Sequence, residues 1–509
     1  MTYCTPYLLE LGLTKSKISL VWIAGPLSGL IMQPIVGVIA DRSKSRWGRR
    51  RPFMLGGTVL VSMFLLLLGW TKEFVRFFLK EKEAVRQATI VVAVLSIYGI
   101  DFAINAVQGS CRGLIVDTLP ISKQQLGSSW ASRMVAVGSL VGYAAGAVDL
   151  GAIFGPMLGD TQFKQLTAVA AITLCVTVGL TSYAVTERVL VSDGKEDEGQ
   201  IGAMEVLSTI AHNAMNLPRG IAAICHVQFW AWIGWFPFLF YSTTWVGEIY
   251  LRYDAPVDAK ASEDITGQVG RIGSTALIAF SIITFLMSVI LPWFVKSPED
   301  EVPDFTPRPP ASIASFVFEM EKYKPSLLTT WTASHCIFAG SMIMAPFVQS
   351  LRGATIIVAL CGISWAISCW APFTFLGVEI NRLSQHNHRP YGHMTRNSIE
   401  LESPVQLHLN HGPDESHGST GASSGAYLGI MNLYTTLPQF VGTFISWAVF
   451  SLLEPGKSPE LAKEAGPEEL KQHAAEGPNA IAVCLFIGAL SAAVAAFSTR
   501  KLKRLQSEG

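Results

Sequence analysis

The sequence predicts an all-α polytopic membrane protein, and three observations lead to that fold class. Half of the 509 residues are hydrophobic, only 15% are charged, and eleven apolar stretches are long enough to cross a bilayer as helices. A soluble domain has about 25% charged residues, so the deficit is typical of a chain embedded in lipid. The 38 basic residues balance the 38 acidic ones, which argues against nucleic acid as a partner.

The first set of spans precedes residue 188. The piece from Met1 to Leu11 is apolar but too short to cross about 30 Å of hydrocarbon at about 1.5 Å per residue. We interpret it as the end of a truncated first helix. Apolar runs of spanning length then recur between short polar segments, and each run predicts one helix. Their ranges are 18–40, 52–70, 88–111, 128–150 and 163–187.

The second set of spans follows the polar segment 188–217, which contains a run of alternating charges at 195–198. The same length criterion applies to each of its apolar runs. Their ranges are 218–247, 271–296, 326–350, 354–380, 423–452 and 478–498. Many transporters are built from two helix sets of this size with a binding site between them. We therefore predict two six-helix bundles, here with eleven full spans plus the truncated first helix.

The predicted domains follow from this division. An N-terminal helix bundle occupies 1–187, a cytoplasmic central linker 188–217, and a C-terminal helix bundle 218–498, followed by a basic cytoplasmic tail at 499–509. The segment 381–420 is predicted to be a disordered cytoplasmic loop because polar residues dominate it. It holds six of the ten histidines, so metal sensing is an alternative. No metal-ligand spacing repeats there, and no metal site is predicted.

The orientation rests on the loop that joins the first two full spans. This loop carries six cations and closely follows an acid, Asp41, at the end of an apolar run. If the loop is cytoplasmic and the spans alternate, 22 of the 38 Lys and Arg residues face the cytoplasm and 15 face the other side. Cytoplasmic loops carry an excess of Lys and Arg, so we predict that the C-terminus is also cytoplasmic.

The sharpest candidate for chemistry is Asp101, well inside the span 88–111. An ionisable side chain at that depth is a functional hypothesis by default. Asn105 and Gln108 follow at i+4 and i+7 on the same helical face. Carboxylate and amide groups suit a polyhydroxylated ligand, because together they accept and donate hydrogen bonds. We predict that Asp101 couples to a proton and that the amides bind substrate; a structural ion pair or a membrane-edge carboxylate is the alternative.

Three further side chains are candidates for substrate binding. Arg133, near the start of its span, could pair with Asp101 or bind hydroxyls, and the alternative is an arginine that extends to the cytoplasmic surface. Gln228 and Trp232 lie in a stretch that also contains Trp230 and Trp235, whose flat faces suit a sugar ring. An aromatic belt at the membrane interface is the alternative for the tryptophans. His335 is interpreted as a hydrogen-bonded core histidine, and a proton relay is the alternative.

A second group of charged residues is predicted to form a cytoplasmic gate. Its members lie at or near the predicted cytoplasmic ends of the spans, where salt bridges could break and form again. They are Asp41, Arg42, Arg49, Arg50, Arg112 and Asp117. The alternative is that these charges only fix the topology. Three glycines spaced by four residues, Gly138, Gly142 and Gly146, predict close helix packing on one face of the span 128–150.

No enzyme signature is present, so no catalytic residue and no cofactor is predicted. There is no H-E-x-x-H motif, and Gly456-Lys457-Ser458 resembles the end of a phosphate-binding loop but has Ser451 where the first glycine belongs. Without machinery for ATP, any energy must come from an ion gradient.

Four blocks of sequence resemble a known family. The segment 25–52, GPLSGLIMQPIVGVIADRSKSRWGRRRP, resembles the sucrose-transporter signature within the major facilitator superfamily, in its glycoside–pentoside–hexuronide cation symporter group. The resemblance continues through DFAINAVQGSCRGLIVD, VQFWAWIGWFPFLFYSTTWVGEIY and GAYLGIMNLYTTLPQ. The STTW form followed by Glu248 is most similar to fungal members that carry sucrose or α-glucosides. Plant members have an acid near Thr244, so their residue roles do not transfer there.

The resemblance implies a major facilitator fold, alternating access, and proton-coupled symport of sucrose or related α-glucosides such as maltose. It also implies that Asp101 is the proton-coupling acid, that Asn105 lies in the sugar site, and that Asp41 and the arginines after it form the gate. The implied partners are a disaccharide, a proton and the lipid bilayer, and a monomer in the plasma membrane is expected, with an endomembrane possible. The alternative is a non-transporting sugar sensor or a degenerate, truncated paralogue.

Overall fold

The computed structural model describes residues 3–41, 43, 45–118, 121–187, 217–255, 265–296, 324–387, 417–454 and 479–508. These residues are almost entirely helical, and the only bridge between extended residues in them joins Lys296 to Ser326. The proposed linker 188–217 lies outside them except for Leu217, and so does most of the histidine-rich loop. Both assignments stay predictions.

The N-terminal helices precede residue 188. Several are short and lie between the long ones. They are α1 (Cys4–Glu10), α2 (Lys15–Val21), α3 (Ala24–Asp41), α4 (Arg51–Gly69), α5 (Thr71–Phe78), α6 (Lys82–Thr118), α7 (Ile121–Ala147), α8 (Leu150–Phe154) and α9 (Gln162–Ala184).

The C-terminal helices follow residue 217, and most of them are longer than the predicted spans. They are α10 (Arg219–Ile249), α11 (Ile265–Phe294), α12 (Leu327–Ile343), α13 (Leu351–Asn387), α14 (His417–Leu453) and α15 (Ala480–Glu508). A π-helical turn, Tyr250–Asp254, extends α10, and a 3₁₀ turn, Ala345–Phe347, follows α12.

Within the described residues, eight helices are long and apolar enough to cross a membrane. They correspond to eight of the predicted spans, and each begins and ends within seven residues of the prediction. The remaining three predicted spans coincide with α2 and α3 together, with α7, and with the 17-residue α12. The all-helical prediction is confirmed, whereas the count of eleven spans stays a prediction.

Proline explains why two predicted spans are interrupted. The span 18–40 has a turn at Trp22 and Ile23, because Pro26 has no N–H to donate to the carbonyl of Trp22. In the same way Pro346 cannot donate to the carbonyl of Met342, and α12 gives way to a 3₁₀ turn. The sequence therefore contained both signals, although hydropathy alone passed over them.

The two helix sets meet along several contacts. Among the N-terminal helices α6 packs on α3 and α4, and α4 also packs on α9. Among the C-terminal helices α10 packs on α15, α14 and α11, and α12 on α15. Helix α14 contacts α2 and α3, and α11 contacts α7, so each set is joined to the other on two sides. We call the two ends of the helix bundle the Lys15 end and the Arg50 end.

Helices α10 and α15 cross closely at two glycines. A Cβ on Gly234 would lie 2.6 Å from the carbonyl oxygen of Gly488, which is backbone and cannot rotate away. Gly138 and Gly142 differ, because no described atom lies within 4 Å of a Cβ at either position. Of the three spaced glycines, Gly146 alone is in close contact, with Ser274 of α11. The predicted packing along all three is therefore wrong for the described residues.

We expect Gly234→Val to destabilise the protein by about 3 kcal/mol or more, since overpacking against a rigid backbone forces the helices apart. Gly142→Val is the matched control, because it adds the same side chain where the described structure is open. The measurement is thermal unfolding of the purified protein in detergent, followed by tryptophan fluorescence. Equal unfolding temperatures for the two variants would contradict the packing described here.

Candidate functional site

Asp101 lies on α6 with 7% of its surface exposed, and its Oδ2 atom is buried with no hydrogen-bond partner among the described residues. Gly25 of α3 faces it, since a Cβ there would lie 3.9 Å from Oδ2. The same Cβ position lies 3.8 Å from the ring of Phe240 on α10. The carboxyl therefore sits close to where the two helix sets meet, in a place that leaves one oxygen free for a proton or a ligand.

Asn105, one helical turn after Asp101, joins α6 to α3 through hydrogen bonds. Its Nδ2 donates to Ser28 Oγ at 2.9 Å and to the backbone carbonyl of Asp101 at 2.9 Å. Its Oδ1 accepts a hydrogen bond from Gln33 Nε2 at 3.0 Å. Neither Ser28 nor Gln33 was among the sequence-predicted site residues. The acid and the first predicted amide are thus adjacent, and α3 supplies the other polar groups.

The other predicted substrate residues are placed differently. Gln108 is exposed on α6, and Gln228 is buried on α10. The guanidinium of Arg133 lies over the ring of Trp130, 5.2 Å from its centroid, and makes no described ion pair with Asp101. The structure therefore brings Asp101 and Asn105 together, but it gives no contact between this pair and Gln108, Arg133 or Gln228 in the described residues.

The predicted tryptophans pack mainly among the C-terminal helices. Trp235 is buried against Trp365 and Phe338, with ring centroids 4.9 and 4.1 Å away. Trp232 meets Trp365 edge to face at 6.1 Å. For Trp235, core packing replaces both readings from sequence, the interfacial belt and the exposed sugar platform. Trp232 is half-buried, so part of its ring stays available.

His335 is buried on α12 beside Trp331, with ring centroids 5.5 Å apart. Its Nε2 has no hydrogen-bond partner among the described residues. The predicted burial is confirmed. The predicted hydrogen bonding is not seen at this atom.

At the Arg50 end, the carboxylate of Glu187 caps the start of α4. It accepts hydrogen bonds from the backbone N–H of Arg50 at 2.8 and 3.0 Å and from that of Arg51 at 3.4 Å. Gly48 lets the chain approach, because its φ of +103° favours glycine and a Cβ would collide with Glu187. An anion at a helix N-terminus is stabilised by the unpaired N–H groups and by the helix dipole.

The predicted gate residues are only partly described. Asp41 ends α3, but its side chain, that of Asp117 and the whole of Arg42 lie outside the described residues. Arg50 is buried with its guanidinium against Gly113 of α6, whereas Arg112 is exposed. The described contacts at this end therefore centre on Arg50 and Glu187, and the gate assignment stays a prediction.

We expect Glu187→Ala to lower the free energy of unfolding by about 2 kcal/mol, because the first N–H groups of α4 lose their acceptor and the nearby anion disappears. Glu187→Gln keeps an acceptor and loses only the charge, so about half that effect is expected. The exposed Glu83, 3.9 Å from Arg86, is the control, and its replacement should cost little. Chemical unfolding in detergent measures all three, and a Glu187→Ala variant as stable as the control would refute the cap.

At the Lys15 end, four side chains join the two helix sets; we call them the Lys15 cluster. Lys15 of α2 lies 2.8 Å from Glu248 Oε1 on α10 and 2.6 Å from Glu454 Oε2 just after α14. Asn479 donates to Glu248 and also caps α15, where its Oδ1 accepts from the N–H of Ile481 at 2.8 Å. Glu248 is completely buried and Lys15 is 3% exposed.

Beside the cluster, a hydrogen bond 2.6 Å long between Ser16 and Ser451 links α2 to α14. Burying two carboxylates and an ammonium is tolerable only when they pair and hydrogen-bond well. The cluster therefore fixes the two helix sets against each other at this end. The sequence marked Glu248 only as the acid that follows the STTW form, and it did not indicate that the residue is buried or paired.

The described residues contain no group of three or more His, Cys, Asp or Glu side chains that could hold a metal ion. What the geometry offers instead is an acid with a free oxygen, a set of amide and hydroxyl groups beside it, and a charged contact between the two helix sets. Such a site can bind a hydroxylated ligand and a proton.

Comparison with known proteins gives the same fold and a family. The family model for MFS/sugar transport proteins matches residues 1–248. The chain is 33% identical to the general alpha-glucoside permease of Schizosaccharomyces pombe, over 98% of this chain and 89% of that one. It is 25% identical to the sucrose transport protein SUC4 of Arabidopsis thaliana, over 91% and 82% of the two chains.

Among solved structures, a variant of the nucleoside transporter NupG superposes with a TM-score of 0.50 at 11% identity, covering 98% of this chain and 95% of that one. At this identity the likeness concerns the fold alone. The multi-pass helical architecture, the match of the family model and the long alignment to the yeast permease agree with the resemblance seen in the sequence. The chain belongs to the MFS/sugar transport protein family.

Proposed function

We propose that this protein carries sucrose or a related α-glucoside such as maltose across a membrane together with a proton, by alternating access. Two lines support the substrate class: the relatives are named as an alpha-glucoside permease and a sucrose transporter, and the polar groups beside Asp101 suit hydroxyls. The single observation that carries the proton coupling is the buried Oδ2 of Asp101, inside a spanning helix and without a hydrogen-bond partner among the described residues.

In this proposal Asp101 is the proton carrier. It lies where the two helix sets meet, next to Asn105, so one small region can hold both the proton and the sugar. A neutral carboxyl in hydrocarbon is far less costly than a charged one, so Asp101 crosses with the sugar in its protonated form. Sugar and proton are then released on the other side, and the empty protein returns with Asp101 deprotonated, so that each cycle moves one proton with one sugar.

The two ends of the helix bundle open in turn. The Lys15 cluster holds the helix sets together at one end, and the arginine-rich segment after α3 serves as the gate at the other. The excess of Lys and Arg favours the Arg50 end as cytoplasmic, which places the C-terminus there as well. A monomer in the plasma membrane, with no cofactor and with the proton gradient as energy source, completes the proposal.

The test is uptake of labelled sucrose and maltose by proteoliposomes that contain the purified chain. With the outside more acidic than the inside, both the rate and the final level of uptake should exceed those without a pH difference. Collapse of the gradient with a protonophore should remove the difference. Sugar binding with no flux under any gradient would overturn the proposal and would favour a sugar sensor.

A further inference from the structure

Both donors of the Asn105 amide are used inside the protein. Both of its N–H groups are donated, one to Ser28 Oγ and one to the carbonyl of Asp101, each at 2.9 Å. Its oxygen accepts from Gln33 at 3.0 Å. An amide has two donors, so none remains on Asn105 for a ligand unless one of these bonds breaks.

Two backbone carbonyls fix the direction of this network. Ser28 donates its hydroxyl proton to the carbonyl of Gly25 at 2.9 Å, so its oxygen must accept from Asn105. The other N–H of Asn105 meets the carbonyl of Asp101, which can only accept. The nitrogen and oxygen of the Asn105 amide therefore cannot exchange places, and the oxygen must be the atom that meets Gln33. Gln33 in turn has to present its NH₂ group to that oxygen.

This arrangement leaves a defined edge on Gln33. Its Oε1 makes no hydrogen bond to any described residue, and one N–H is left after the bond to Asn105. The side chain is only half-buried, so part of it is accessible. It crosses α6 at Gly109, where a Cβ would lie 3.9 Å from its Cγ. Gln33 thus offers an acceptor and a donor side by side, in an orientation set by its neighbours.

We propose that Gln33 binds two adjacent hydroxyl groups of the sugar and determines which ring positions the transporter requires. Of two neighbouring hydroxyls, one can donate to Oε1 while the oxygen of the other accepts the free N–H. Asn105 and Ser28 are then positioning residues that hold the Gln33 amide. The proposal rests on the proposed function and deepens it, because it names a sugar with two free vicinal hydroxyls as the substrate.

The experiment combines substitutions with changes in the substrate. Uptake kinetics are measured for the full chain and for Gln33→Leu, with an α-glucoside and with analogues that each lack one ring hydroxyl. In the unchanged protein, loss of either of two adjacent hydroxyls should raise KM about tenfold, the effect of one hydrogen bond left unmade. In Gln33→Leu the parent sugar should show that rise, and the penalty at those two positions should disappear.

Gln87→Leu is the matched control. It lies on the same helix as Asn105, its Nε2 donates only to Glu83 at 3.3 Å, and it is exposed. Its pattern of penalties should equal that of the unchanged protein. A purely structural role for Gln33 would lower activity for every sugar by the same factor and would leave the pattern intact.

The outcomes separate this inference from the proposed function. Absence of uptake of any α-glucoside by the unchanged protein overturns the proposed function. If uptake is present and the penalties in Gln33→Leu match those of the unchanged protein, the role of Gln33 is refuted and the function stands. If Gln33→Leu transports too slowly for kinetics, equilibrium displacement of labelled sugar from the purified variant gives the same comparison through Kd.

Discussion

Replacing Asp101 with asparagine is expected to abolish accumulation of sugar driven by the proton gradient, while exchange of sugar across the membrane continues. Asparagine has nearly the same shape, so the buried site is preserved, but its amide does not titrate. With one proton per sugar, a difference of about one pH unit supports about tenfold accumulation, because one pH unit is one factor of ten in free-energy terms. The variant should reach a ratio of about one.

The measurement is the steady-state sugar ratio across proteoliposome membranes at imposed pH differences, together with exchange of labelled for unlabelled sugar at zero gradient. Glu83→Gln is the control, since Glu83 is an exposed acid at the start of the same helix. It should accumulate sugar as the unchanged protein does. If Asp101→Asn still accumulates sugar in proportion to the pH difference, then another group carries the proton and the assignment of Asp101 is wrong.

The fold was largely predictable because the bilayer restricts the options. Long apolar runs in hydrocarbon must satisfy their backbone polar groups internally, so each run had to be helical. The helix breaks near Pro26 and Pro346 show the limit of that reasoning, since hydropathy reports burial in lipid and not the loss of a hydrogen bond. The position of Asp101 was predictable for the same reason, because a lone acid in an apolar run stands out.

The partners of these residues were not predictable, because they depend on contacts between distant parts of the chain. Glu187 lies 137 positions from Arg50, and Glu248 lies 233 positions from Lys15. A single sequence gives the charge of each residue but not the helix it will face. Gln33 was passed over for a different reason: it is an ordinary polar residue in a segment interpreted for topology, and only the hydrogen bonds of Asn105 draw attention to it.

Replacing Lys15 with methionine is expected to open the Lys15 end and to slow transport. The change removes the cation and leaves Glu248 and Glu454 close together without it. Removing one member of a buried ion pair costs about 3–5 kcal/mol. The population of the state in which the Lys15 end is closed should therefore fall by about 100-fold or more. If opening and closing alternate in the transport cycle, a state that no longer closes should carry sugar at least tenfold more slowly.

Cys4 offers a natural reporter for this opening. It is the first residue of α1, and Glu10 is the last, about 9 Å further along the helix axis at ~1.5 Å per residue. The side chain of Cys4 is half-buried. A membrane-impermeant maleimide added outside intact cells should label Cys4 much faster in Lys15→Met than in the unchanged protein. The same comparison in a Cys4→Ser background measures labelling of the other seven cysteines.

Lys72→Met is the matched control for the loss of a lysine. Lys72 is 40% exposed and pairs with Glu10 at 3.1 Å, so both partners belong to the N-terminal helices and no contact between the helix sets is lost. An exposed pair contributes at most about 1 kcal/mol, and neither labelling nor uptake should change much.

A charge exchange distinguishes the gate from a simple loss of stability. Lys15→Glu combined with Glu248→Lys restores one ammonium between two carboxylates at the same place, with the positions reversed. Each single variant should label Cys4 rapidly, and the combination should return part of the way toward the unchanged protein in both labelling and uptake. Equal labelling of Cys4 in all of these variants would show that the Lys15 cluster stabilises the fold without controlling access. Recovery in the exchange would instead show that the ion pair itself closes this end, because no other property of the two positions is restored by the swap.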